Sequence, residues 1–189
     1  MKSLTKLFLT LLILLKPVNS LFSQEQDLNV DFSLLAGLLL PGELYISTGS
    51  VETYPETAMS PFFILAVDLS QSRALSFGAY YQLTNMGYYA LDDTDVYHTI
   101  GLCISPLFYT NTITIKPNIK LGYRSIPGGS SSAGPVQGFA TDFGIQFQKR
   151  AEGLQPIFEI GFIAQPSGGN DDVYFEFSPI FYFAAGFKT

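Results

Sequence analysis

His98 is the only imidazole in the chain and Cys103 the only thiol. Nucleophilic or acid–base chemistry would therefore run through one of these or through carboxylates. His98 is followed by Thr99 and Ile100, and a nucleophile needs a base held beside it; no such pairing is written locally. Acidic residues gather at Asp92, Asp93 and Asp95, and again beside Asn170 at Asp171 and Asp172. Hard divalent cations want several oxygens, but neither cluster has the glycine turn and closing bidentate glutamate of a calcium loop. A solvated acidic rim is the simpler expectation, and no metal ligand is assigned. Phosphate loop, zinc spacing, nucleophile elbow and dinucleotide fingerprint are all missing, so no cofactor and no catalytic residue are assigned either.

A more regular set of charges is Asp31, Asp68, Lys116, Lys120, Arg124, Asp142, Glu159 and Glu176. Each lies in a stretch where apolar residues alternate with polar or small ones, the period-2 mark of a strand with two unlike faces. Eight such stretches occur: 28–40, 62–70, 74–84, 96–109, 113–125, 137–148, 155–165 and 173–187. In the fifth, Ile113, Ile115, Ile119, Leu121 and Tyr123 share one face, and Thr114, Lys116, Asn118, Lys120 and Arg124 the other. In the last, Phe175, Phe177, Phe181, Phe183 and Phe187 are expected on one apolar face. All eight charges fall on the polar phase, whereas His98 and Thr141 interrupt the apolar one. Cys103 falls on the polar phase, where simple packing is expected.

The links alternate between long and short. Residues 41–61, 85–95, 126–136 and 166–172 are long and rich in Gly, Ser, Pro and Asp; 71–73, 110–112 and 149–154 are short. Short links forbid the crossovers of a parallel sheet and suit an antiparallel up-and-down barrel with brief turns at one end. A barrel in water would put its apolar face inside and its charges outside. Here one face is too uniformly apolar for water, and eight charges could not be buried cheaply behind it. The inverted arrangement, apolar toward lipid and polar toward a narrow lumen, satisfies both faces.

The chain has 189 residues, 47% hydrophobic and only 14% charged, enough for one domain. Sixteen acidic against ten basic residues, without basic clustering, argue against nucleic acid as a partner. Lys2, Lys6 and the apolar stretch from Leu7 to Leu15 resemble a secretory signal, with cleavage expected after Ser23 or after Ser20. The stretch is less than half of the roughly 20 residues a spanning helix needs. The organisation expected is a signal peptide over 1–23 and a barrel domain over 24–189.

The signal, the eight alternating stretches, the alternating links and the closing sequence SPIFYFAAGFKT together resemble the small eight-stranded outer-membrane β-barrels of Gram-negative bacteria, the OmpA- and OmpX-like group. The resemblance implies an all-β, antiparallel transmembrane barrel in the cell outer membrane, a monomer in contact with lipid and lipopolysaccharide. It implies that Phe187 is the terminal aromatic read by the barrel-assembly machinery, although Lys188 and Thr189 follow it. Eight strands leave a lumen about as wide as its own side chains, so a plug is expected rather than an open channel. Lys120 and Asp142 are expected opposite each other, Asp31 and Asp68 near Lys116 and Lys188, and Arg124 near Glu176. Some barrels of this kind modify lipid A by acyl transfer or deacylation with a His beside Ser or Asp. His98 is the residue such an activity would use, but the His-x-Ser pattern is missing. The leading expectation is a non-enzymatic envelope or surface-interaction protein, with the loop 41–61 as contact surface. A lipid-modifying enzyme and a soluble periplasmic ligand-binding barrel are the alternatives.

Overall fold

A computed structural model describes residues 28–49, 51–54, 56–70, 74–88, 93–126, 136–150, 153–165, 168–169 and 174–189. The expected signal peptide, Asp92 and the segment 170–172 lie outside the described residues. In chain order the strands are β1 (Asn29–Leu39), β2 (Leu44–Thr48), β3 (Val51–Thr53), β4 (Ser60–Ser70), β5 (Leu75–Tyr88), β6 (Asp93–Pro106) and β7 (Phe108–Tyr109). They continue with β8 (Ile113–Ile126), β9 (Val136–Lys149), β10 (Gln155–Ala164), β11 (Gly168–Gly169), β12 (Tyr174–Phe177) and β13 (Ile180–Lys188). β-Branched and aromatic residues are frequent in them, as a pleated surface packed on one side favours.

Eight of these strands form a ring. Neighbours pair antiparallel in the order β6, β5, β4, β1, β13, β10, β9, β8, and β6 pairs with β8 to close it. Closure leaves no edge strand and satisfies every ladder internally, the condition a strand structure must meet in hydrocarbon. The first and last strands meet at seven register pairs, from Ser33 with Lys188 to Leu39 with Tyr182. One end of the ring carries the turn at 110–112 and both described termini; it is called the turn end below. At this end Thr110 and Ile113 close a turn through Thr110 N donating to Ile113 O at 2.9 Å.

Along each barrel strand burial alternates, as in BeBeBeieB for β13 and ieBeBeiiB for most of β10. Leu34, Leu65, Ile100, Leu121, Ile145, Ile160 and Phe183 point outward, and Asp68, Lys116, Lys120, Arg124, Asp142, Glu159 and Lys188 are buried inside. Tyr81, Phe108, Tyr123, Phe139, Phe147 and Phe187 are also exterior, placing aromatic rings toward both ends of the belt, where amphipathic rings suit a lipid interface.

Two pairs of glycines let the lumen fill. Gly101 faces Gly122 across β6 and β8, and Gly144 faces Gly161 across β9 and β10. The Tyr80 side chain lies against the first pair and Tyr182 against the second. A Cβ would come within 2.8 Å of Tyr80 at Gly101 and within 2.7 Å of the Tyr182 hydroxyl at Gly144. Glycine is needed at these positions for close approach.

The loop end departs from the sequence reading in three places. The segment 41–61 is not a plain loop: β2 and β3 form a hairpin in it, and β2 pairs with β12 to give a small second sheet ordered β11, β12, β2, β3. The link expected over 85–95 is mostly strand, since β5 and β6 stay paired up to Tyr88 and Asp93. The last stretch, expected as one strand, breaks at Ser178 and Pro179. Its first part joins the second sheet and only β13 enters the ring. As a result Phe177, expected on the lipid face, is 9% exposed and packs inward.

Candidate functional site

Strand β8 presents Lys116, Lys120 and Arg124 to the lumen at intervals of four residues, climbing from the turn end to the loop end. Each meets a separate set of partners. Nearest the turn end, Lys188 Nζ lies 2.8 Å from Asp31 Oδ2 and donates to Gln148 Oε1 at 3.4 Å. Above it, Lys116 Nζ lies 2.6 Å from Asp68 Oδ2, with both side chains buried. The Cys103 thiol donates to the other oxygen of Asp68 at 3.5 Å.

The central level is built on Glu159. Its carboxylate takes the Lys120 ammonium in an ion pair, the Tyr182 hydroxyl at 2.6 Å and the Gln146 amide at 3.2 Å. Lys120 also sits 5.7 Å from the Tyr182 ring centre and 6.0 Å from that of Tyr80, within reach of cation–π attraction. Asp142 is Lys120's ladder neighbour, as read from the sequence, but the ammonium turns away from it to Glu159. Both Asp142 oxygens are buried without a hydrogen-bond partner among the described residues.

The uppermost level is Arg124, which is fully buried. Its Nε donates to Thr99 Oγ1 and its Nη1 to Gln165 Oε1, both at 2.7 Å. Glu176 is not its partner. It is exposed on β12, beyond the ring, because β12 belongs to the second sheet. With Glu176 outside and Lys188 inside, the described lumen holds four acids, Asp31, Asp68, Asp142 and Glu159, against four bases. Asp142 was legible as inward-facing, whereas no local signal marked Gln165 or Thr99 as the groups that hold Arg124.

On the exterior, His98 is exposed and its Nδ1 lies 2.7 Å from the Tyr81 hydroxyl. Ser125 is its ladder neighbour on β8, but the Ser125 hydroxyl is engaged by the Gln137 amide at 3.5 Å. The imidazole is thus tied to a phenol rather than to a nucleophile.

The second sheet stands beyond the ring at the loop end. Its base is fastened by Glu43 and Ser178, with Ser178 N donating to Glu43 O at 3.0 Å, and by Gly42 and Thr57, with Thr57 N donating to Gly42 O at 2.8 Å. Its described side chains include exposed Glu52, Glu176, Val51 and Tyr54, with Glu43 and Glu56 bridged at its edge. The Tyr45 and Tyr54 rings meet at a tilt, with centres 5.2 Å apart. The Tyr54 phenol is held above its ordinary value by desolvation and then by the neighbouring Glu52 carboxylate.

A closed antiparallel ring that is apolar outside and charged inside is a barrel built for a bilayer. The fold is that of the small outer-membrane barrels. Neisserial surface protein A superposes with a TM-score of 0.51 at 13% identity, covering 86% of this chain and 98% of that one. Ail of Yersinia pestis matches at a TM-score of 0.42 and 12% identity over 84% of this chain and 98% of its own. The N-terminal β-barrel domain of Pseudomonas aeruginosa OprF matches at 0.45 and 10% identity, over 83% and 97%. The fold assignment rests on the first of these together with the ring closure described above. No protein-family model and no curated protein matches the chain.

Proposed function

We propose that this chain is a non-enzymatic outer-membrane barrel whose lumen is a structural plug and whose working surface is the loop-end sheet. The observation that carries the reading is the division of labour between the two sheets. The ring turns its charged groups inward, where Lys116, Lys120 and Lys188 are ion-paired, whereas β2, β3 and β12 hold acidic and tyrosine side chains out toward water. Conformationally held outward residues on a rigid scaffold are the usual place for contact function. Lipid and lipopolysaccharide surround the belt in this reading, the chain is a monomer, and Phe187 on the outer face of β13 serves the barrel-assembly machinery. The eight lumen positions read from sequence act as a network only in part, since Glu176 stands with the contact surface.

Replacing residues 45–56 by a short turn tests the reading. The variant should still reach the outer membrane and keep its heat-dependent gel mobility, while losing whatever whole-cell binding the intact chain confers. Unchanged surface binding would locate the working surface elsewhere.

The second reading, a lipid-modifying enzyme, is favoured only by the outward placement of His98 beside Ser125 on the ladder. His98→Ala should leave lipid A composition unchanged; an altered lipid A would make the barrel an enzyme.

A further inference from the structure

The two ends of the lumen differ in kind. At the turn end a cavity of about 460 Å³ opens among Asn29, Asp31, Ser76, Thr114, Gln148 and Lys188. A second cavity of about 20 Å³ lies above it, beside Cys103, Lys116 and Glu159, enough for about one water. At the loop end the buried side chains among the described residues are mainly apolar, with Thr57, Ser60 and Thr84 beside them. Leu39, Met86, Ile163 and Ile180 from the ring meet Leu44 and Phe177 from the second sheet, each with 9% exposure or less.

Nine buried side-chain polar atoms find no partner among the described residues, and they are strung along this axis. Ser76 and Ser105, ladder neighbours on β5 and β6, stand between the two cavities. Asn118 and Gln146 flank the upper one. Asp142 and one nitrogen of Arg124 lie beyond it, just short of the apolar layer. Protein interiors satisfy such atoms with water where they find no protein partner, and the two cavities lie on the turn-end side of the Arg124 level.

We propose that the lumen is a sealed half-channel. Water and small ions enter from the turn end as far as the Arg124 level, and the apolar layer made with Leu44 and Phe177 is the barrier to conduction. Lifting the second sheet then turns the plug into an ion pathway. The proposal assumes the membrane-spanning reading and goes beyond it, because it assigns the second sheet a role in closing the lumen.

Cys103 is a built-in probe, since it lines the upper cavity well below the seal. The full barrel is placed in chloride-free lipid vesicles, its orientation read from tryptic cleavage at the exposed Arg150. Heat-dependent gel mobility in the same preparation reports insertion, so failure of the barrel reading is seen separately. Silver ions are applied to one side and quenched with chloride, and the unfolded protein is then titrated with a maleimide. Silver from the turn end should block Cys103, and silver from the loop end should not. Protection from both sides would mean a dry lumen, and blocking from both sides would mean no seal; either overturns the proposal. Phe177→Ser, with Leu44→Ser as a second variant should the first not fold, should let silver in from the loop end. It should also give conductance steps in a planar bilayer where the unaltered chain gives none. A folded seal variant that keeps one-sided access and no conductance also overturns it.

Discussion

Glu159 is the most heavily bonded carboxylate of the lumen, and its loss would strand the Lys120 ammonium in a buried site. Removing one member of a buried pair is far costlier than replacing both. Glu159→Leu should therefore destabilise the barrel by about 3–5 kcal/mol, and adding Lys120→Met should recover most of that loss. Urea unfolding in lipid or detergent measures both; a double variant as weak as the single would mean that Lys120 does not depend on Glu159. The levels of these charges along β8 follow from period-2 spacing, because residues four apart share a face whatever the closure. Their partners across the lumen do not. Lys120 reaches past its ladder neighbour Asp142 to Glu159 on the next strand, a choice set by curvature and by the space that Gly144 and Gly161 leave for Tyr182.

At the scale of elements, exposure has two meanings in this molecule. Leu121 is 53% exposed and Val51 is 54% exposed, yet Leu121 faces the belt near the middle of β8 and Val51 lies on β3 beyond the ring. An arginine on the lipid face near the midplane costs about 2–4 kcal/mol, whereas an ordinary surface substitution in water stays within about 0.5 kcal/mol. Leu121→Arg should fall in the first range and Val51→Arg in the second, compared by denaturant unfolding in bilayers. Equal effects would undo the face assignment. The long strands were legible because nine or more alternating residues repeat one pattern, as in β8 and β9. The second sheet was not, because β2, β3 and β12 have five, three and four residues. That is too short for a period to register, and β12 ran on from β13 without a break that sequence could mark as a change of sheet.

For the molecule as a whole, β13 joins the first strand to the second half of the ring by pairing with both β1 and β10. Phe187 ends the outward face of this strand at the turn end. Phe187→Ala should lower the fraction of chain that reaches the membrane in the heat-resistant form, with little change in the unfolding of barrels that do assemble. A stability loss without an assembly defect would instead make Phe187 an ordinary belt residue. Ring closure was legible from alternating link lengths and inverted faces. The covered mouth was not, because Leu44 and Phe177 read as surface residues until β2 and β12 are seen to pair.

The tyrosines seated on glycine pairs also give the molecule an optical signature. The chain has no tryptophan, so near-ultraviolet dichroism is dominated by tyrosine. Tyr80 and Tyr182 are held rigidly only when β6 meets β8 and β9 meets β10. Their share of that signal, obtained by difference from Tyr80→Phe and Tyr182→Phe variants, therefore reports completion of the ring, while a single tryptophan placed at the lipid-facing Phe139 would report insertion. Recorded together during refolding, the two colours would show whether this barrel enters the bilayer before or after it closes.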